Sequence, residues 1–225
     1  MKDRVIVVTG AAGVLGRAVC AEASARGALV AGVDFSGSLA VSDHIRLALA
    51  GVDLTDPASA EQAMSAVRAE LGRIDALLNI AGGFTWQAIA GADAGVWETM
   101  FALNLKTALN ATRAALPYLL ESQGAIVNVG AAGALKAGAG MGPYAASKAA
   151  VHKLTESLAE EMKGKVRVNA LLPSIIDTAK NRADMPDADP STWVTPQQLA
   201  AVMLFFASAE ASAITGALVP VTGRV

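Results

Sequence analysis

Tyr144 and Lys148 stand four residues apart in Pro143-Tyr144-Ala145-Ala146-Ser147-Lys148. At the start of a helical pattern that spacing puts both side chains on one face. A free phenol keeps its proton up to about pH 10, and a neighbouring ammonium favours the phenolate. The pair therefore predicts a tyrosine that passes a proton near neutral pH, with Lys148 as the group that tunes it. A half-buried tyrosine beside a surface lysine has the same spacing, so the reading depends on what lies upstream.

Upstream, directly after the first β-branched run, comes Thr9-Gly10-Ala11-Ala12-Gly13-Val14-Leu15-Gly16. Glycines between a strand and a helix permit a tight turn, close approach of backbone N–H groups to a pyrophosphate, and close helix packing. The helix N-terminus then faces the anion with its positive dipole end. Asp34, followed by Phe35, closes the second strand eighteen residues beyond Gly16. An acid at that place accepts from the hydroxyls of an adenosine ribose and repels a 2′-phosphate, which predicts NAD(H) as the preferred cofactor, with NADP(H) possible. Arg17, on the first helical turn, is expected at the solvated surface.

The elements that must position these groups follow from patterning. β-branched runs at Val5–Thr9, Leu29–Asp34, Leu47–Val52, Ile74–Ile80, Ala125–Gly130, Val166–Leu171 and Ala217–Val221 alternate with helical stretches. The helices are expected at Leu15–Arg26, Pro57–Leu71, Ala94–Glu121, Tyr144–Lys163 and Pro196–Ala207. Such alternation predicts an α/β fold, a three-layer, Rossmann-type, doubly wound parallel sheet of about seven strands. Asp56 and Thr195 are placed to cap helices that open with proline, and Gly27 and Gly72 to end them. No linker or repeat divides residues 1–225, so a single dinucleotide-binding domain is expected. Ser174–Val194, rich in Pro, Asp and Met without clear periodicity, is expected to be a substrate lid over about 174–194.

The chain has 225 residues, of which 53% are hydrophobic and 17% charged, with a formal charge of −2. Disorder is excluded, and the balance lacks the basic footprint of a nucleic-acid partner. No apolar run approaches the ~20 residues of a bilayer span, and the first residues lack a signal-peptide core, so a cytoplasmic protein with no membrane partner is expected. Cys20 is alone and is expected in the core, and no His/Cys cluster has metal-ligand spacing. His152 is expected to face helix packing or solvent.

Taken together, these motifs resemble the short-chain dehydrogenases/reductases over essentially the full length. The resemblance rests on Thr9–Gly16, Asp53-Leu54, Asn79-Ile80-Ala81-Gly82, Asn104, Tyr144 with Lys148, and Pro173-Ser174-Ile175-Ile176-Asp177-Thr178. It implies an NAD(P)-dependent oxidoreductase with Tyr144 as general acid/base, Lys148 on the nicotinamide ribose, and Asn104 holding a proton-relay water. It implies further that Asp53 and Leu54 meet adenine, that Asn79–Gly82 lies along the cofactor, and that Ile176 and Thr178 hold the carboxamide beyond Pro173. Helix capping by Asp53 and buried, bonded amides at Asn79 and Asn104 are the plainer alternatives.

Two departures from the family pattern stand out. Val14 occupies a common glycine position of the loop. Ala131, thirteen residues before Tyr144, stands where the family's catalytic serine would be. Loss of a hydroxyl that polarises a substrate carbonyl typically costs about 3 kcal/mol of transition-state stabilisation. The missing serine, Ala81-Gly82-Gly83 and the lid Asp177-Thr178-xx-Asn181-Arg182-xx-Met185-Pro186-xx-Asp189 with Trp193 resemble the quinonoid dihydropteridine reductases of that family. Three readings follow. The substrate is a reactive imine, stacked by Phe84, Trp86 and Trp193; or it is a small carbonyl polarised by Ser174 or water; or the chain is a catalytically impaired NAD-binding scaffold. Alanine and leucine on several faces of the two long helices predict a homodimer or homotetramer.

Overall fold

The structure, a computed structural model, describes residues 1–91 and 93–225. One sheet of seven parallel strands runs in the order β3-β2-β1-β4-β5-β6-β7. Its strands are β1 (Val5–Thr9), β2 (Leu29–Val33), β3 (Leu47–Leu49), β4 (Ala76–Asn79), β5 (Ala125–Val129), β6 (Arg167–Pro173) and β7 (Leu218–Val221). β1 pairs with both β2 and β4, so the chain winds outward in two directions from that seam. In such sheets the crevice beyond the carboxyl ends of the strands, where the order reverses, is the natural ligand site.

Residues of period two divide between two cores. Ile6, Val8, Leu78, Val127 and Leu171 face a layer that contains Val19 and Met203. Those two belong to α1 (Val14–Ala25) and α7 (Pro196–Ala207). Val7, Leu77, Ile126 and Val168 face the opposite layer with Met64, Leu119 and Leu158. That layer is built by α2 (Pro57–Leu71), α4 (Thr107–Ser122) and α5 (Gly142–Glu161).

The expected helix ends form as their residues dictate. Asp56 accepts from the N–H groups of Ala58 and Ser59 at the head of α2, and Gly72 closes it at φ 78°. Thr195 and Gln198 make a reciprocal capping box at α7. The stretch expected as one helix over Ala94–Glu121 is instead α3 (Gly95–Phe101), a π-turn over Ala102–Lys106, and α4. Ser174–Val194 is not devoid of structure. It holds the six-residue α6 (Ala179–Asp184), capped by Thr178, and a 3-10 turn at Pro190–Thr192 capped by Asp189. An Ile176–Val194 bridge ties its two ends together. Several strands end one to three residues from their expected bounds, β3 most of all, because the half-buried edge strand has a partner on one side alone.

Candidate active site

A cleft of about 850 Å³ opens along the carboxyl ends of β1, β2 and β4. Gly10, Gly13, Val14, Leu15, Gly16 and Arg17 form one wall, Asp34 and Phe35 one end, and Asp53, Leu54, Ala81, Gly82 and Thr178 other parts of its lining. Gly10 sits at φ 66°, with the place a Cβ would take only 2.9 Å from the Ala81 nitrogen. At Gly16 a Cβ would lie 2.1 Å from the Gly10 carbonyl oxygen. The loop therefore closes only with glycine at these places. No side chain caps α1, whose N-cap is Gly13, so its first amides face the cleft free of side-chain acceptors. A bare helix N-terminus opposite a glycine cradle fits the pyrophosphate of a dinucleotide.

The Asp34 carboxylate accepts from the N–H of Ala12 at 2.8 Å and of Ser36 at 2.7 Å. It thus joins the glycine loop to the far end of the cleft. Phe35 is 75% exposed beside it, an open aromatic face. Asp53 accepts from both the N–H and the hydroxyl of Thr55, which hold its carboxyl below the usual range. Arg17, expected in solvent, lines the cleft although exposed. Thr9 was not foreseen as a site residue. Its Oγ1 accepts from the N–H groups of Ile80 and Ala81, pinning the turn after β4 against β1.

Not every expected contact lines the cleft. The Asn79 side chain is buried in the interior, donating to Thr112 and to Asn128 Oδ1, while its own Oδ1 has no partner among the described residues. Asn128 in turn donates to Thr155 of α5. Asn79 therefore ties sheet to helices, and it is the Ile80–Gly82 backbone after it that borders the cleft. Pro173 is buried at the end of β6, and Ile176 packs on the core while its carbonyl accepts from Asn181.

The other expected residues converge beyond Gly82. Asn104 lies in the π-turn, where the extra residue per turn swings its amide inward, a feature common at functional sites. Its Oδ1 accepts from the Gly83 N–H at 2.9 Å, and its Nδ2 donates to Ser147 Oγ at 2.9 Å. Ser147 donates to the Tyr144 carbonyl, so it links Asn104 to the helix that bears Tyr144 and Lys148. A Cβ at Gly82 would stand 2.5 Å from Asn104 Oδ1 and 3.4 Å from Lys148 Nζ. The amide and the ammonium thus meet where glycine alone leaves room.

Lys148 is buried and donates to the Val129 carbonyl at 2.7 Å, and burial lowers it to about 8. Burial pushes the Tyr144 phenol up to about 12. The expected lowering by Lys148 is thus not present in the chain alone, because desolvation dominates at the phenol and the ammonium is engaged with Val129. Phe84 packs edge-on against the Tyr144 ring at 4.9 Å and 79°. Trp86 donates to the Ala139 carbonyl, and its ring fills the place of a side chain at Gly140. Trp193 lies apart from both. It is 4% exposed and lines a separate cleft of about 440 Å³ between lid and C-terminal residues. Ser174 donates to the Thr222 carbonyl at 2.8 Å, which commits the hydroxyl considered as a substitute for the missing serine. Ala131 itself is buried, and its N–H donates to His152.

The description "short chain dehydrogenase" fits residues 4–189 as a family model. The chain belongs to that family. It is 32% identical to the meso-2,3-butanediol dehydrogenase of Serratia marcescens, over 98% of this chain and 94% of that one. It is 31% identical to the 3-oxoacyl-[acyl-carrier-protein] reductase of Salmonella typhimurium, over 99% and 97%. Among solved structures, carveol dehydrogenase from Mycobacterium avium in complex with NAD superposes with a TM-score of 0.88 at 25% identity, over 99% and 97%. As a member of this family the protein is an NAD(P)-dependent oxidoreductase acting on a small molecule. No helix among the described residues is long and apolar enough to cross a membrane.

Proposed function

We propose that this short-chain dehydrogenase is an NADH-preferring reductase of a small, flat carbonyl or imine, with Tyr144 as its general acid. The observation that carries this reading is the junction of Asn104, Ser147 and Lys148 around the bare backbone of Gly82, next to Tyr144. A bound nicotinamide supplies the hydride. The chain's own residues do the rest: Tyr144 holds a proton for the substrate, Lys148 holds the ribose, and Asn104 orders the relay behind them. With its phenol near 12, Tyr144 is fully protonated at neutral pH. That state carries the proton a reduction consumes, while burial makes the phenol a weaker acid than a free one.

Preference for NADH rests on Asp34, an acid just after β2 that would accept from the ribose hydroxyls and repel a 2′-phosphate. Leu54, Thr178 and Ile176 serve the adenine and carboxamide ends, and residues 174–194 serve as the substrate lid. For the substrate, Phe84 against Tyr144 and the neighbouring Trp86 offer aromatic edges to a planar ring. Ala131 brings no hydroxyl to polarise it, which favours a substrate as reactive as a quinonoid dihydropterin. We infer too a cytoplasmic homodimer or homotetramer joined through α4 and α5; light scattering that returns a monomer at micromolar concentration removes that arrangement.

The test is NADH oxidation followed with quinonoid dihydropterin, quinones, ketones and β-ketoacyl thioesters, in wild type and Tyr144→Phe. Turnover of a planar imine or quinone, lost in the variant while NADH still binds, is the expected result. Undiminished turnover in Tyr144→Phe refutes the acid assignment, and NADH binding with no turnover on the whole panel supports a scaffold instead.

A further inference from the structure

Outside the cofactor cleft lie the 440 Å³ cleft beside Trp193, a 260 Å³ hollow beside Cys20, and the buried ring of His152. The last sits on α5, the helix that bears Tyr144 and Lys148, and reaches across to the end of β5. His152 follows Lys148 by one helical turn on α5, so the two side chains leave the same face. Lys148 donates to the carbonyl of Val129 at 2.7 Å. His152 Nε2 accepts from the N–H of Ala131 at 3.3 Å. Between those two peptide groups lies Gly130, where a Cβ would stand 2.5 Å from His152 Nε2 and 2.5 Å from Leu172 Cδ2. The imidazole therefore occupies the space that any side chain at residue 130 would need.

We propose that His152 is a positioning residue for the reaction. As a neutral ring it clamps the Ala131 N–H, and with Lys148 on the Val129 carbonyl it fixes the end of β5 against the helix that bears the reacting tyrosine and lysine. This inference rests on the catalytic reading of Tyr144 and Lys148. The clamp has a definite chemical state: Nε2 must be bare to accept, so the ring carries its proton on Nδ1. A second proton would go to Nε2, oppose the Ala131 N–H, and set a cation beside the Lys148 ammonium. Burial above all holds the ring below its ordinary value; Lys148 and, less, Lys153 add to it, and Glu156 opposes it. Gly130 and Ala131 after β5 and Leu172 of β6 face it, and none of these titrates. Gly130, between the two held peptide groups, is itself tied to β6 by its N–H to the Leu171 carbonyl at 2.8 Å, so loss of the clamp frees the backbone beyond it, at Ala131, after the residue type that restrains the chain least.

The experiment follows the Ala131 amide by NMR across pH 5–8 in uniformly ¹⁵N-labelled protein, together with NADH turnover on the best substrate of the panel. In wild type the amide shift and the acid limb of turnover should share one midpoint, below pH 6.5. His152→Gln keeps an acceptor that does not titrate. It should abolish both pH responses and hold turnover at pH 7.5 within about threefold of wild type. His152→Phe, folded by circular dichroism, should lose about tenfold or more in kcat with NADH affinity unchanged, as expected when geometry and not binding is lost. An Ala131 amide indifferent to pH in wild type overturns the clamp, whatever the activity. A clamp seen by NMR, with His152→Gln keeping the wild-type acid limb, overturns the positioning role. If Tyr144→Phe keeps full turnover the catalytic reading fails first, and the amide titration still decides whether the clamp exists.

Discussion

Replacing Lys148 by Met should stabilise this protein near neutral pH, and the size of the effect should depend on pH in a defined way. Lys148 is buried, 5% exposed, and burial lowers its ammonium from 10.5 to about 8. At about 1.36 kcal/mol for each tenfold change in proton affinity, that gap is worth about 3 kcal/mol. The sign follows from proton counts. Below pH 8 the group is charged in both folded and unfolded chains, so the fold carries the whole cost of enclosing a charge. Between 8 and 10.5 the unfolded chain binds more protons than the folded one, so stability rises with pH, and above 10.5 the cost has gone. Met has a comparable length and no charge, and its loss of the bond to Val129 costs about 1–3 kcal/mol at every pH. The difference in unfolding free energy between variant and wild type should therefore move by about 3 kcal/mol from pH 7 to pH 10.5, to the variant's disadvantage. Cys20 and Tyr144, both pushed up to about 12, act in the opposite direction above pH 9 and 10. They are common to both proteins and cancel in the difference. Urea unfolding at several pH values measures it, and a movement under about 1 kcal/mol would refute the enclosed ammonium.

Two further substitutions probe the cleft. Gly82→Ala places a methyl 2.5 Å from Asn104 Oδ1; kcat should drop by about a hundredfold as the amide is displaced, with the melting temperature little changed, and steady-state assays with differential scanning calorimetry read both. Asp34→Ala removes the acceptor for the Ala12 and Ser36 amides; NADH affinity should weaken by about tenfold, and the preference over NADPH should shrink, as followed by fluorescence titration.

The sheet was legible because β1 is a run of five buried residues whose β-branched side chains suit a strand covered on both faces. Helix ends were legible wherever a side chain closes them, as at Asp56 and Thr195. Tyr144, Lys148 and the glycine loop could be found because their spacing is itself the signal. What escaped has physical reasons. The π-turn at Ala102–Lys106 carries no residue type that marks it, since Ala, Leu, Asn and Lys are as much at home in an ordinary helix. α6 spans six residues, less than two turns, too few for a period to register. The Tyr144 acidity was misjudged because proximity in sequence implies the charge partner but not the desolvation that outweighs it. Trp193 looked like a stacking residue on its type alone, whereas tertiary packing buries it away from Tyr144. Ser147 carried only the weak signal of lying within one turn of Tyr144 and Lys148, and His152 that of lying about one turn beyond Lys148.

The π-turn also sets the two parts of its long helix out of phase. One extra residue amounts to about 100° of rotation, so the face that packs α4 against the sheet and the face that offers Asn104 inward belong to different angular frames. Deleting any one residue from Ala102–Lys106 would restore an ideal screw axis, and in doing so would turn either the amide or the packed leucines toward water. Local regularity and function are alternatives along that segment, which makes its length, more than its lettering, the property that insertions and deletions must respect.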